Sequence, residues 1–573
     1  MPKSFRLALI PLALLGLSAC ATSAPTSRTV TTAALSGGGQ PSIYGMYLAG
    51  QAALDSGDSQ AAADFFAQAK DASPQAGFLK ERVFTAALMA GDIPRAAAMA
   101  PGPDEGSPSI QAVGILTVAV EQLASDQGRA AYETLSTPRP GVPVAPPSAL
   151  LKPWAAAAAG KLTEAVTLPD SPDRVTALVA SFDQALLFER TRRYNEAETA
   201  YKALFNDRIG QALAGPAYGV FLERRGRRKE AIAMYDQLLA GDPEDPSLLA
   251  AKMRAARNGT APTQMTIREG AAQALMVPTA VILSDKQFEE GLIYLRLILR
   301  LDPKRDDAWL QAGDVMSQAG DLLSARAAYG QVNAKSPRYA EARSRLAWSY
   351  QTDDKDAALK VARDTVAALP DSDTALITLA DLLRAANRYD ESAKVLDGVM
   401  ANGRHATDWR LYYERGVALE RSGRWPEAKA DLDKALVLRP DQPEVLNYLG
   451  YSWVNRREKI KEGMELIQRA VDAQPDEGAY VDSLGWAYYQ LGDYPNAVST
   501  LEHAVALEAG DAEINDHLGD AYWRAGRRDE ARFQWRAVLT FKPDPDVKAR
   551  AEAKFASPLG VEAMVKPPTV AGQ

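Results

Sequence analysis

Small and apolar positions recur along this chain at an interval far longer than a helical turn. Gly416, Gly450, Gly485 and Gly519 are separated by 34, 35 and 34 residues, and each is followed in its own segment by a second small residue, Ala428, Gly463, Ala497 and Ala531. The pairing predicts two antiparallel helices that approach so closely that only hydrogen or a methyl group fits between them. Upstream, the segment from Asp306 carries Trp309, Ala312, Gly313, Ala325, Tyr329, Val332 and Pro337, and Pro303 precedes Pro337 by 34 residues. The same frame fits segments starting at Leu178, Ala212, Trp409, Pro443, Gly478 and Ala512, with weaker copies near Ile43, Ala272, Ala340 and Asp373, eleven in all. A glycine divides the clearer copies, at Gly226, Gly320, Gly423, Gly492 and Gly526, where a left-handed residue ends a first helix without a Cβ penalty. A proline near the end stops the second helix.

This order of aromatic, small pair, mid-segment alanine, aromatic and terminal proline resembles the tetratricopeptide repeat. The resemblance implies an all-α fold, a superhelical solenoid of antiparallel helix pairs, because one pair cannot bury its own apolar face and must stack on its neighbours. The rhythm breaks twice. Pro243 to Pro303 is 60 residues, short of two repeats, and the run from Asn258 is loop chemistry. The stretch 77–170 is alanine-rich and poorly phased, read as degenerate helical hairpins, and Pro138 to Pro147 lacks amide donors for a helix. The expected organisation is a leader over 1–19, a flexible tether over 20–42, degenerate helical repeats over 43–135 and a Pro-rich linker over 136–148. Further repeats follow over 149–258, an irregular joint over 259–270, repeats over 271–405, the most regular repeats over 406–556 and a disordered tail over 557–573.

Composition changes the picture at the amino terminus. Cys20 is the only cysteine among 573 residues. It closes Leu17-Ser18-Ala19-Cys20 after two positive charges, Lys3 and Arg6, and an apolar run from Leu7 to Leu17, too short to span a bilayer. This resembles a bacterial lipoprotein signal, in which the cysteine becomes the acylated first residue. Several acyl chains give stable attachment where one is marginal. Ala21, in place of aspartate, implies by the same resemblance an outer-membrane lipoprotein facing the periplasm of a Gram-negative bacterium. Net charge is −8, and −10 without the leader's two cations, which argues against nucleic acid as a partner.

Catalytic chemistry finds little purchase. The histidines are His405, His503 and His517, none in metal-ligand spacing, and His503 and His517 read as structural or solvent-facing. Phosphate-binding and nucleophile-elbow motifs are absent from the sequence. The basic cluster Arg224 to Lys229 reads as a solvated turn, and acidic pairs such as Glu289 and Glu290 as exposed faces. No metal, no cofactor and no enzymatic activity are expected.

The tetratricopeptide frame places the first helix of each repeat on a concave face. Its inward positions are Arg410, Tyr413, Asn447, Tyr451, Asp482, Trp486, Tyr489, Asp516, Asp520 and Trp523. Rings beside amides and carboxylates suit an extended peptide or a protein loop. The segments Leu446 to Val454, Val481 to Tyr489 and Ile514 to Trp523 resemble a proteobacterial group of long tetratricopeptide lipoproteins. That group includes an outer-membrane adaptor that delivers peptidoglycan hydrolases to a periplasmic carboxy-terminal processing protease. The resemblance implies a non-enzymatic adaptor that binds protein partners on its concave face and the membrane through acylated Cys20. An assembly lipoprotein for a secretion, pilus or polysaccharide-export system is the competing scaffold reading. A cell-wall hydrolase is the contrasting class, with no residue pattern in its favour.

Overall fold

The computed structural model describes residues 42–556, apart from 143–144, 170–172, 402 and 404. The leader, Cys20, the tether up to 41 and the tail 557–573 lie outside the described residues. Among those described there are thirty α-helices and no strand. They form two compact units, one up to Leu382 and the other from Leu383.

The first unit opens with α1 (Ile43–Asp55), α2 (Ser59–Ala72), α3 (Gly77–Ala90), α4 (Ile93–Ala98), α5 (Pro108–Ala124), α6 (Gly128–Ser136), α7 (Pro146–Ala158) and α8 (Leu162–Ala165). It continues through α9 (Arg174–Arg190), α10 (Tyr194–Phe205), α11 (Arg208–Arg224), α12 (Arg228–Leu239) and a single helix, α13 (Pro246–Ala256). Next come α14 (Ile267–Ser284), α15 (Phe288–Leu301), α16 (Asp306–Gln318), α17 (Leu322–Gly330), α18 (Tyr339–Trp348), α19 (Lys355–Ala368) and α20 (Asp373–Ala385), which crosses the boundary. The second unit holds α21 (Tyr389–Met400), α22 (Trp409–Arg421), α23 (Trp425–Leu438), α24 (Pro443–Arg456), α25 (Ile460–Ala473), α26 (Gly478–Leu491) and α27 (Tyr494–Leu507). Its last described helices are α28 (Ala512–Arg524), α29 (Arg528–Val538) and α30 (Pro545–Ala556).

The dividing glycines behave as the sequence requires. Gly226, Gly320, Gly423, Gly492 and Gly526 all have φ between 75° and 83°, so each ends a first helix in the left-handed region. The periodic glycines do the expected job at two positions and a further one at others. Gly450 faces its small partner, with an added Cβ falling 2.6 Å from Gly463 O, and at Gly416 the same Cβ would lie 3.4 Å from Ala428 O. At Gly416, Gly485 and Gly519 the same Cβ would strike Leu432, Leu501 and Trp535, and at Gly219 and Gly313 it would strike Tyr235 and Tyr329. The missing side chain thus makes room for a large one on the returning helix, a leucine at Gly416 and Gly485 and a ring at Gly219, Gly313 and Gly519.

Hairpins also form where no repeat is readable: α3 with α4, α5 with α6 and α7 with α8. Their second helices are short, at 6, 9 and 4 residues, which is why the period dissolves there. The Pro-rich linker expected over 136–148 loses its last residues to α7, since Pro146 and Pro147 occupy first-turn positions whose amides need no helical partner.

A larger departure from a simple stack follows α13, which gains no returning partner. The stretch 258–266 is held across α9 and α11: Arg224 Nη1 donates to Pro262 O at 3.1 Å, Arg190 Nη1 to Met265 O at 2.9 Å and Gln264 Nε2 to Glu189 O at 3.3 Å. The chain then turns back. Helix α14 packs along α7 and α9, and α15 along α3, α4 and α5. Those are mostly first helices, so α3, α5, α7 and α9 are covered by their own chain. Arg300 clamps Glu121 at 2.8 and 2.9 Å, Arg268 Nη1 donates to Ala124 O at 2.9 Å, and Arg296 Nε donates to Met89 O at 3.3 Å. Leu295, Leu297 and Ile298 are fully buried in this contact region. In the basic cluster from Arg224, Arg225 and Lys229 are exposed as expected, whereas Arg224 pairs with buried Glu189 at 2.6 and 2.7 Å, and Arg227 with Glu198 and Glu230.

Candidate interaction surface

With α3, α5, α7 and α9 of the first unit covered, the comparable row in the second unit is α22, α24, α26 and α28. Spacings of 34 and 35 residues align side chains on these helices into rungs, Tyr413, Asn447, Asp482 and Asp516 in one and Tyr451, Trp486 and Asp520 in the next. Extended by 34 residues, the rungs reach Arg550 and Lys554 on α30. A helix with one face at repeat spacing therefore continues the ladder, but with cations where the preceding repeat has carboxylates.

At this end the rungs close on themselves. Lys554 Nζ lies 2.8 Å from Asp516 Oδ1 and 2.7 Å from Asp520 Oδ1, and Arg550 Nε donates to Asp516 at 3.3 Å. Trp535 Nε1 also donates to Asp520 at 3.2 Å. Burial pushes the Asp520 carboxyl upward, while Lys554 pulls it back. His517 Nδ1 lies 2.9 Å from Asp482 Oδ2, and its ring stacks on Trp486 at 4.2 Å and 17°. Burial alone would lower this imidazole, yet the charge and hydrogen bond of Asp482 outweigh it and raise it to about 9, so His517 carries a proton at neutral pH. Trp486 stacks in turn on Tyr489 at 4.7 Å and 9°.

Of the ten inward positions, five are buried: Asp482, Tyr489, Asp516, Asp520 and Trp523. Their expected exposure to a ligand is corrected for a physical reason. The carboxylates are already neutralised by His517, Arg550 and Lys554, and Trp523 packs against Trp535 at 5.6 Å with Arg528 over its face. The other five keep surface. Arg410 is exposed, its guanidinium 5.1 Å from the Trp409 ring, and Tyr413, Asn447, Tyr451 and Trp486 are partly exposed. Tyr413 meets Tyr448 edge-on at 5.9 Å, and Tyr448 donates to Glu420 at 3.2 Å. Burial raises the phenols of Tyr413 and Tyr451 far above their ordinary range, so both stay neutral donors. Asn447 Oδ1 and Trp486 Nε1 have no hydrogen-bond partner among the described residues. Each such shielded group costs about 1–3 kcal/mol while it stays unpaired.

His517, Arg550 and Lys554 were not singled out from the sequence as part of this face. The signal was present in the 34-residue offset from Asp516 and Asp520, but a frame that stops at the last full repeat does not extend to α30. His503, by contrast, is solvent-exposed. Among the described residues no group of three or more His, Cys, Asp or Glu is placed to hold a metal ion. No described helix is long and apolar enough to cross a membrane.

Residues 377–443, 413–478 and 483–545 match the tetratricopeptide repeat family, as does the stretch 218–247 through a second form of the repeat. The chain carries tetratricopeptide repeats. A TPR repeat-containing protein of Pseudomonas aeruginosa is 33% identical over 113 residues, which is 20% of this chain and 19% of that relative. Among solved structures, the hetero-tetramer Cut9–Hcn1 of APC/C is similar over 88% of this chain and 95% of its own, at 14% identity and a TM-score of 0.37. YrrB, a TPR protein with an unusual peptide-binding site, is similar over 34% of this chain and 99% of its own, at 18% identity and a TM-score of 0.26. With repeats in both units and helices throughout, the tetratricopeptide architecture is one that serves protein–protein contacts.

Proposed function

We propose that this protein is a non-enzymatic scaffold, acylated at Cys20 and held at the periplasmic face of the outer membrane, which gathers envelope proteins on the second unit. The partners proposed are a periplasmic protease and the cell-wall hydrolases it processes. The observation that carries the reading is the partly exposed stretch of α22, α24 and α26, where Arg410, Tyr413, Tyr451 and Trp486 present rings and a cation beside the partly exposed side chain of Asn447. Tyrosine and tryptophan bury large area at low entropy cost, and an amide between them pairs with the backbone of an extended segment. Affinity would then build from several modest contacts along the row. Acylation of Cys20 rests on its setting after the apolar run Leu7 to Leu17.

Affinity capture from envelope extracts tests the proposal. Wild-type protein is compared with Tyr451→Ala and Arg410→Ala, and with Val437→Ala as a control on an exposed position of α23. Recovery of a defined protein partner falls at least fivefold in the first two and is unchanged in the control. Equal recovery from all four proteins would remove this face from the account.

A further inference from the structure

The two ends of the described chain are finished differently. The last helix, α30, is charged on its outer side, with Asp546, Lys548, Arg550 and Glu552 exposed. A polar terminal helix is what keeps a stacked helical array from exposing its apolar edge. The first helix has no such finish. No charged residue occurs in α1 before Asp55, and only Met46 and Gly50 are buried in it. Its inner side packs on α2 and α3 through Met46, Ala69 and Leu79. On its outer side Tyr44 is 70%, Leu48 48% and Ile43 40% exposed, and Phe78 of α3 adds 60%. These belong to one surface, because Tyr44, Tyr47 and Leu48 share a helix face and Tyr47 meets Phe78 edge-on at 6.0 Å.

We infer that this uncharged aromatic edge, centred on Tyr44, Leu48 and Phe78, lies on the lipid surface and fixes the orientation of the first unit against it. The inference rests on the acylation of Cys20 proposed above. Only 21 residues lie between Cys20 and Ser42, the cap of α1, so the edge is the part of the described chain closest in sequence to the anchor. Even fully extended, that length spans no more than about 75 Å. Lipid suits the chemistry of the patch better than a protein partner would. Tyrosine and phenylalanine settle at the headgroup boundary, where an apolar ring is buried and a phenol stays wet, and the absence of charge over the first three turns removes the desolvation cost of approach.

The experiment uses the full acylated protein in vesicles of phosphatidylethanolamine and phosphatidylglycerol. Single Leu48→Cys, Phe78→Cys and Leu323→Cys variants are labelled with an environment-sensitive thiol dye; all three positions are exposed, and Leu323 is 79% so. Acylation blocks the only natural thiol, so label enters the new position alone. The inference expects blue-shifted emission and several-fold lower quenching by an aqueous quencher at 48 and 78, and no change at 323. Vesicle-bound protein with all three dyes equally quenched overturns it while leaving the anchor intact. A blue shift at 48 without vesicles that grows with protein concentration overturns it in favour of a second copy of this chain. Label entering Cys20 itself defeats the anchor reading. The Cys20→Ser protein is then floated with the same vesicles, and an unshifted dye at 48 overturns the inference as well.

Discussion

Lys554 Nζ and Asp516 Oδ1 meet at 2.8 Å with side chains only 7% and 1% exposed, and they tie the last described helix to the inner row of the second unit. Asp520 shares the same ammonium at 2.7 Å. Removing one member of a buried pair strands the other charge, which costs about 3–5 kcal/mol, whereas replacing all members with apolar residues of similar volume is close to neutral. Lys554→Met is therefore expected to destabilise the second unit by that amount in chemical denaturation, and adding Asp516→Leu and Asp520→Leu to recover most of it. A loss below about 1 kcal/mol for Lys554→Met would class the contact with exposed ion pairs.

His517 gives the second unit a pH dependence of known sign. Its folded value is raised to about 9 from 6.5, so the stabilisation from its pairing with Asp482 is complete below pH 6.5 and is lost as pH rises through 9. The expected loss is about 3 kcal/mol between pH 6 and pH 10. His517→Gln keeps a hydrogen-bonding group without the charge and flattens that part of the curve. Denaturation midpoints measured across this window decide it, and identical slopes for the two proteins would exclude the Asp482 pairing.

Asp183 has the opposite character. Its side chain is fully buried, and neither oxygen has a hydrogen-bond partner in good geometry, although Trp154 lies near enough to favour the ionised form slightly. Burial raises its carboxyl well above the ordinary range. The unfolded chain therefore releases this proton first, and stability falls as pH rises above about 4 until the folded carboxyl also ionises. Asp183→Asn removes the titration and is expected to stabilise the first unit by about 1–3 kcal/mol at pH 7. A destabilised variant with unchanged pH dependence would mean that the carboxyl has a partner in solution.

The return of α14 onto α7 is tested at Gly270, where an added Cβ would fall 2.0 Å from the Trp154 ring. Gly270→Ala forces these helices apart and is expected to cost about 1–3 kcal/mol and to speed proteolysis within 258–266. Unchanged proteolysis and stability would contradict the contact.

The helical repeats were legible because their signals are local. A glycine with φ near 80° ends a helix whatever surrounds it, and the interval of 34 residues is a property of one hairpin. The return of α14 and α15 was not legible, since Arg300 and Glu121 are 179 residues apart and nothing in either segment's pattern names the other. The same limit separates Tyr451 from Asp516. Both occupy inward positions in the frame, but only the structure places Lys554 against one and leaves the other partly open. The periodic glycines were located from sequence, while the side chain that each accommodates, such as Trp535 over Gly519 or Leu501 over Gly485, required the returning helix to be seen.

Site-specific photocrosslinking in living cells addresses the central claim most directly. A photoreactive residue is placed at Tyr451, on the partly open row, and separately at Val437, which is 72% exposed on α23. The account predicts a discrete protein adduct from position 451 and none from position 437. Adducts of the same size and yield from both positions, or from neither, would contradict a scaffold that holds its partner on this face.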